Sequence, residues 1–410
     1  MTPGLNDLFG MPILPRTDQD WRQLDYRAAD IFSPHAPIDE EQLFAGRLDL
    51  IKGLFETVFQ RGQHAILYGE RGVGKTSLAN ILKEKVFAKS RRYRFIKRNC
   101  TAAHDFKTIW KQLFDDTVVN DDGDTLDEYV DHSTDGYGIY RCIERSPATV
   151  HPVFIIDEYD RIGDEKTHQK MADTIKYLSD YSSLATVIIV GVARDVKGLF
   201  GGHPSIERNV RQIPMPAMSL GELRQIFDKR LPDLDMGIDE HVLDTLITLA
   251  QGFPGYTHLL GQLSARNAIQ EHRLTINMAD LDYALLRAIE NCDEKIKDLY
   301  VRAVRSTKPL NQYKEVLLAC ALAPIDERGY FSANSVRQPF SKIMDRPMDI
   351  PHYARHLNEF CRPERGPALL KEGRPKSYEF RFTDALLRPF VVIKGVNDKL
   401  IPKMALRSPK

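Results

Sequence analysis

Continuous apolar runs and helically spaced apolar stretches alternate along the first half of this chain. His64-Ala65-Ile66-Leu67-Tyr68 predicts a short buried strand, and Ser77–Lys83 predicts a helix soon after it. Ahead of that strand, Leu48, Leu50, Ile51, Leu54, Phe55 and Val58 recur at helical spacing. Val153-Phe154-Ile155-Ile156 and Val187-Ile188-Ile189-Val190 are apolar without alternation, as central parallel strands buried on both faces are. Part of residues 83–98 supplies a second strand. Strands alternating with helices predict a parallel α/β sheet, with ligands at the carboxyl ends of its strands.

From Ser219 the periodicity turns wholly helical. Ser219 and Glu222 have the spacing of a capping box, and Leu220, Leu223, Ile226, Phe227 and Leu231 form the stripe expected to be buried. Further helices are expected at 239–250, 256–271 and 279–291, then three short ones at 313–322, 333–343 and 350–360. Ala368–Lys371 and Tyr378–Phe382 bracket Glu372-Gly373-Arg374-Pro375-Lys376, which reads as a β-hairpin with a basic tip. Three helices and a hairpin is the order of a winged helix-turn-helix. The expected organisation is an extended arm (1–40, rich in Pro and Asp), an α/β domain (41–216), a small helical domain (217–300), a winged helix (301–395) and a basic tail (396–410).

Length and charge sharpen this picture. A chain of 410 residues can hold two or three full cores. Its formal charge of zero hides an asymmetry: residues 301–410 carry 21 Lys+Arg against 11 Asp+Glu, and the remainder carries 36 against 46. A basic end on an acidic body suggests a polyanionic partner, or a solvated face docked on that body. Residues 83–98 form a smaller basic run with interleaved Tyr93 and Phe95, which fits nucleic-acid contact and a solvated strand edge equally. Asp115–Asp135 is an acidic loop without the register of a calcium site. No apolar run reaches the ~20 residues of a membrane span, and no signal pattern opens the chain, so a cytoplasmic location without membrane attachment is expected. The five cysteines are scattered, without a C-x-x-C, and read as reduced structural thiols.

The chemistry centres on Gly69-Glu70-Arg71-Gly72-Val73-Gly74-Lys75-Thr76, which fits G-x-x-x-x-G-K-[ST] between a strand and a helix. Such a loop turns backbone N–H groups inward at a helix N-terminus and cradles phosphates; Ser77 continues it. Lys75 would reach the β- and γ-phosphates of ATP, and Thr76 would offer a hydroxyl to Mg²⁺. Asp157 and Glu158 close an apolar strand, where two adjacent carboxylates repel and lose solvation, so a functional reading is preferred. Asp157 would hold Mg²⁺, and Glu158 would polarise a water for in-line attack.

With these motifs the chain resembles the AAA+ ATPases, most closely the initiator-type clade of origin-recognition and transposition-regulator proteins. Phe44-Ala45-Gly46-Arg47 is similar to the F-x-G-R element that flanks the adenine in that clade, and the sheet, helical lid and terminal winged helix follow the same order. The resemblance implies that Gly46 and Arg47 help to hold the nucleotide. It implies that Arg194 stands where relatives carry a polar γ-phosphate sensor. It also implies an arginine finger donated to a neighbouring subunit, for which Arg208 is preferred over Arg211. In the lid, Gly252-Phe253-Pro254 replaces the G-x-x-R of many relatives and resembles the G-x-P of signal-transduction ATPases, where Pro254 would abut the adenine. His258 is a further candidate near the nucleotide, or a packed helix-face residue.

Two readings follow. In one, a homo-oligomeric ATPase contacts duplex DNA, with Arg355, Asn358 and Arg362 on the third helix of the winged helix suited to base edges. Lys371, Arg374 and Lys376 on the hairpin would then meet phosphates. In the other, an ATP switch of signalling or antiviral-defence type uses the same module against a protein effector. A nucleotide-binding scaffold without turnover is a third, weaker possibility.

Overall fold

A computed structural model describes residues 17–34, 46–89, 92–117, 124–131, 133–147, 149–193, 195–200, 209–308, 311–374 and 377–403. The chain divides into two units, one of residues 37–216 and one of 1–36 with 217–410.

The first unit is built on five parallel strands: β1 (His64–Gly69), β2 (Tyr93–Asn99), β3 (His151–Asp157), β4 (Thr186–Val192) and β5 (Val210–Met215). Their order across the sheet is β2-β3-β4-β1-β5. Every residue of β3 is buried, which is what its unbroken apolar run required. Among the described residues six helices accompany the strands: α2 (Leu48–Phe59), α3 (Lys75–Lys89), α4 (Phe106–Phe114), α5 (Gly136–Ile143), α6 (Glu165–Asp180) and α7 (Val196–Phe200); α1 belongs to the other unit. Trp110 and Phe114 of α4 pack on Phe154 of β3, with ring centroids 5.5 and 5.7 Å apart. The acidic stretch read as a loop contributes to this core as well. A short 3-10 turn at Leu126–Tyr129 buries Leu126, and Val130 follows it inside. Asp121 and Asp122 lie outside the described residues.

The second unit begins with a helix that the expectation of an extended arm missed. Helix α1 (Asp18–Ile31) starts in a Thr17/Asp20 capping box and lies along α10 (Pro254–Gln270). Gly261 lets Phe32 approach, since a Cβ there would come within 2.7 Å of the Phe32 ring. Arg266 grips Asp25 with two bonds of 2.8 Å. Between them run α8 (Leu220–Arg230) and α9 (Glu240–Leu249), followed by α11 (Met278–Glu290) and α12 (Glu294–Val304). The capping box at Ser219 is present, but Leu220 is 38% exposed, so the buried stripe starts at Leu223.

Helix α12 runs through residue 300, where a domain limit was expected, and buries Ile296, Leu299, Tyr300 and Ala303. Helices α13 (Tyr313–Leu322), α14 (Ala333–Ile343) and α15 (Ile350–Glu359) follow, and β9 (Leu369–Arg374) and β10 (Ser377–Phe382) form the expected hairpin. A two-residue strand, β8 (Phe331–Ser332), joins them in the order β8-β10-β9; the small pair β6 (Gly237–Ile238) and β7 (Thr275–Ile276) lies apart. The expected limit at 395 falls within a helix. Helix α16 (Leu387–Asn397) crosses it, burying Phe390, Val391, Val392, Ile393 and Val396. Arg388 donates to the carbonyls of Ala321 and Ala323, satisfying the end of α13. Among the described residues no helix is long and apolar enough to cross a membrane.

Candidate functional site

The parallel register brings the carboxyl ends of the strands together. Gly69 pairs with Val192 on one side and Met215 on the other, and Asn99 pairs with Asp157. Helix α3 starts at Lys75, directly after the loop that leaves β1. Gly72 and Gly74 take φ of 84° and 94°, a left-handed backbone in which glycine is unstrained. Gly69 is needed for another reason: a Cβ there would fall 2.3 Å from the Met215 carbonyl oxygen. Val73 is buried and anchors the loop, while Arg71 and Gly72 face outward and Thr76 and Ser77 are half-buried. Gly46 and Arg47 also have positive φ, of 67° and 61°, and Arg47 donates to the Pro216 carbonyl at 2.6 Å. Gly46 and Arg47 are therefore tied to the same end of β5 as the phosphate loop. Phe44 and Ala45 lie outside the described residues.

Lys75 is 8% exposed and folds back over the loop, donating to the carbonyls of Gly69 (3.1 Å) and Glu70 (2.7 Å). Burial pulls its pKa down to about 8, against the opposing pull of Asp160, Asp157 and Glu70. A phosphate would replace two carbonyl acceptors with a charged one and restore the ammonium's ordinary basicity.

Asp157 is 2% exposed. Its Oδ1 accepts the Glu158 N–H at 2.8 Å, and Lys97 Nζ lies 3.1 Å from Oδ2. That approach is outside hydrogen-bond geometry, so among the described residues Oδ2 is a buried oxygen without a hydrogen bond. Glu158 has a left-handed backbone (φ 55°) and turns its side chain outward, where Arg161 pairs with it at 2.8 Å. Asp160 was not foreseen. Its Oδ1 accepts the Val192 N–H at 2.7 Å and so ties the turn after β3 to the end of β4. The Cys100 thiol beside these carboxylates is pushed up to about 12, by burial first and then by Asp157, Glu158 and Asp160, so it stays protonated.

The available donors are hard oxygens: the Thr76 hydroxyl and the Asp157 carboxylate with its unbonded Oδ2. Among the described residues no three His, Cys, Asp or Glu side chains converge as a metal cage. One or two protein oxygens completed by phosphates and water is how Mg²⁺ is usually held, so the set fits that ion.

Residues 59–200 match the family model described as an AAA domain, from the last residue of α2 to the last of α7. The α/β unit is similar to an AAA domain. No curated protein matches the chain. Among solved structures, the Walker-type ATPase PABY2304 of Pyrococcus abyssi shares 15% identity, covering 88% of this chain and 99% of that one, with a TM-score of 0.51. Cdc6p from Pyrobaculum aerophilum (13% identity, 91% and 98% coverage, TM-score 0.47) also matches. So does the Aeropyrum pernix ORC2 protein (15% identity, 92% and 98% coverage, TM-score 0.48). At such identities the likeness to the Pyrococcus protein speaks for the fold alone, a P-loop parallel α/β sheet with a helical remainder.

Other expected residues fall differently. Arg194, Arg208 and Lys376 lie outside the described residues. Arg211 is exposed on β5 and pairs with Glu56 at 2.7 Å. Pro254 opens α10 after Gly252, whose φ of 86° and close contact with Ala217 demand glycine. His258 is not placed as a cation: it is 2% exposed, makes no hydrogen bond to the described residues through either ring nitrogen, and burial drops its pKa to about 3. In the C-terminal part, His352, Arg355, Asn358 and Arg362 are all exposed at spacings of three or four, hence on one side of α15 and the turn beyond. Lys371 reaches Asn358 Oδ1 at 2.7 Å and lies over the Tyr378 ring, joining hairpin to helix. Arg374 is exposed near the hairpin tip. Arg355 is held by the buried Glu359, which also takes the Tyr313 hydroxyl.

Proposed function

We propose that this protein is an ATPase that binds ATP with Mg²⁺ and couples its nucleotide state to duplex DNA through its C-terminal winged helix. The observation that carries the first half is the convergence of the phosphate loop, Lys75, Asp157 and Glu158 at the carboxyl ends of one parallel sheet. Backbone N–H groups of residues 70–76 and the start of α3 hold the phosphates, and Lys75 leaves its two carbonyls for them. Thr76 and Asp157 hold Mg²⁺, which neutralises phosphate charge when bound. Glu158 releases Arg161 and polarises the attacking water. Gly46 and Arg47 border the base. Arg208 acts as the finger toward a neighbouring subunit of a homo-oligomer, and Arg194 senses the γ-phosphate.

The second half rests on the exposed row His352, Arg355, Asn358 and Arg362 beside Lys371 and Arg374, on the most basic part of the chain. Helix α15 enters the major groove and the hairpin meets the backbone. Duplex binding measured against salt tests this. Wild type should bind more weakly as salt rises, and Arg355→Ala, Arg374→Ala and Lys376→Ala combined should lose most affinity at low salt. An undiminished affinity in the triple variant sinks the DNA half. The ion pair of Arg355 with the buried Glu359 favours a second reading, a protein effector, since it partly satisfies the guanidinium without a phosphate or base edge.

A further inference from the structure

Lys97 belongs to the basic run whose role the sequence left open. Two residues before the end of β2, it extends its ammonium toward the end of β3 rather than into solvent. Its Nζ lies 3.1 Å from Asp157 Oδ2 and donates to Asn80 Oδ1 of α3 at 2.8 Å. Asp157 Oδ1 is engaged by the Glu158 N–H, and Oδ2, buried and without a hydrogen bond among the described residues, is the oxygen the ammonium faces. The approach to Oδ2 lies outside hydrogen-bond geometry, so the attraction is electrostatic.

We propose that Lys97 is a resident cation of the metal-free nucleotide site: it neutralises Asp157 and competes with Mg²⁺ for that carboxylate. The inference rests on the nucleotide-site reading above. A carboxylate as buried as Asp157 is costly without a counter-charge, and Lys97 supplies one while no metal is present. An arriving divalent ion meets that positive charge beside its own ligand and is held weakly until a triphosphate adds negative charge. Metal therefore loads with the nucleotide rather than ahead of it. Lys97 is a positioning residue in this scheme, since it acts through Asp157.

The test is binding of a fluorescent ATP analogue to the full chain, in EDTA and across a Mg²⁺ titration, for wild type, Lys97→Met and Lys97→Gln. The two substitutions differ in polarity but both remove the charge. Each should lower the half-saturating Mg²⁺ concentration about tenfold. Each should also weaken binding in EDTA several-fold, because Asp157 then faces the phosphates unneutralised. These opposite signs separate charge from packing, since lost packing would weaken both conditions alike. An unchanged or raised Mg²⁺ requirement in both variants, or uniform weakening, overturns the role of Lys97 and leaves the nucleotide site standing. Wild type failing to bind the analogue at any Mg²⁺ concentration overturns the nucleotide reading and this inference together.

Discussion

The two units use charge in contrasting ways. In the α/β unit, Lys75 and Asp157 are each under a tenth exposed and stand at strand ends among other charges, with Lys97 and Asp160 beside them. In the helical unit the cations with a functional reading lie at the surface; the Arg355 side chain is 78% exposed. Burial alone is not the distinction. Arg230 is fully buried in the helical unit, yet it donates to the carbonyls of Ile31 and Ile226 and serves to join α1 to α8. What marks the first site is convergence: opposite charges kept out of water around a phosphate-type loop that opens a helix, an arrangement a ligand completes. The surface row in the second unit costs little to maintain and acquires meaning only from a partner.

The largest expected effect breaks the comparison at its stronger side. Glu158→Gln should lower steady-state hydrolysis by about 10²–10⁴-fold while binding persists, measured as phosphate release. Equal turnover would mean that the convergence holds nucleotide without using Glu158.

A second test asks whether burial in both units is felt by protons. Val187 N–H donates to His64 Nδ1 at 3.0 Å, so protonation there must break a backbone bond, and burial holds His64 near 3 and His151 near 4. His258 is likewise held near 3. These folded values lie below the unfolded one, so the unfolded chain binds more protons as pH falls through about 6.5, and stability drops from there toward pH 4. The unfolding free energy from denaturant titrations should fall by about 1.4 kcal/mol per pH unit for each imidazole that stays neutral. A flat profile between pH 7 and 5 would show that the rings charge freely.

The smallest effect sharpens the surface side. Arg374→Ala should weaken duplex binding a few-fold at low salt and reduce the salt slope by about one. Loss of affinity with no change in slope would assign Arg374 to something other than a phosphate.

The same contrast decides what could be read from sequence. The phosphate loop and the strand ending in Asp157 were legible because each is contiguous: apolar run, then chemistry. Helix α15 was legible from its periodicity. Lys97 was visible only as one cation among many, because its reach to Asp157 depends on β2 lying beside β3 with Asn99 opposite Asp157. Asp160 followed the carboxylate pair by two residues, but its tie to Val192 is set by β4 lying beside β3. Helix α1 carried a local signal in Thr17 and Asp20 that the Pro- and Asp-rich surroundings obscured. Long-range pairing, not local pattern, completes the site.

Equilibrium binding of ATP in the presence of Mg²⁺ to wild type and Lys75→Ala tests the central claim most directly. Wild type should bind saturably, and the variant should lose about a hundredfold or more in affinity while keeping the wild-type fold by circular dichroism. Equal affinity in the two would contradict the account, because the loop at 69–76 would then not be where the phosphates sit.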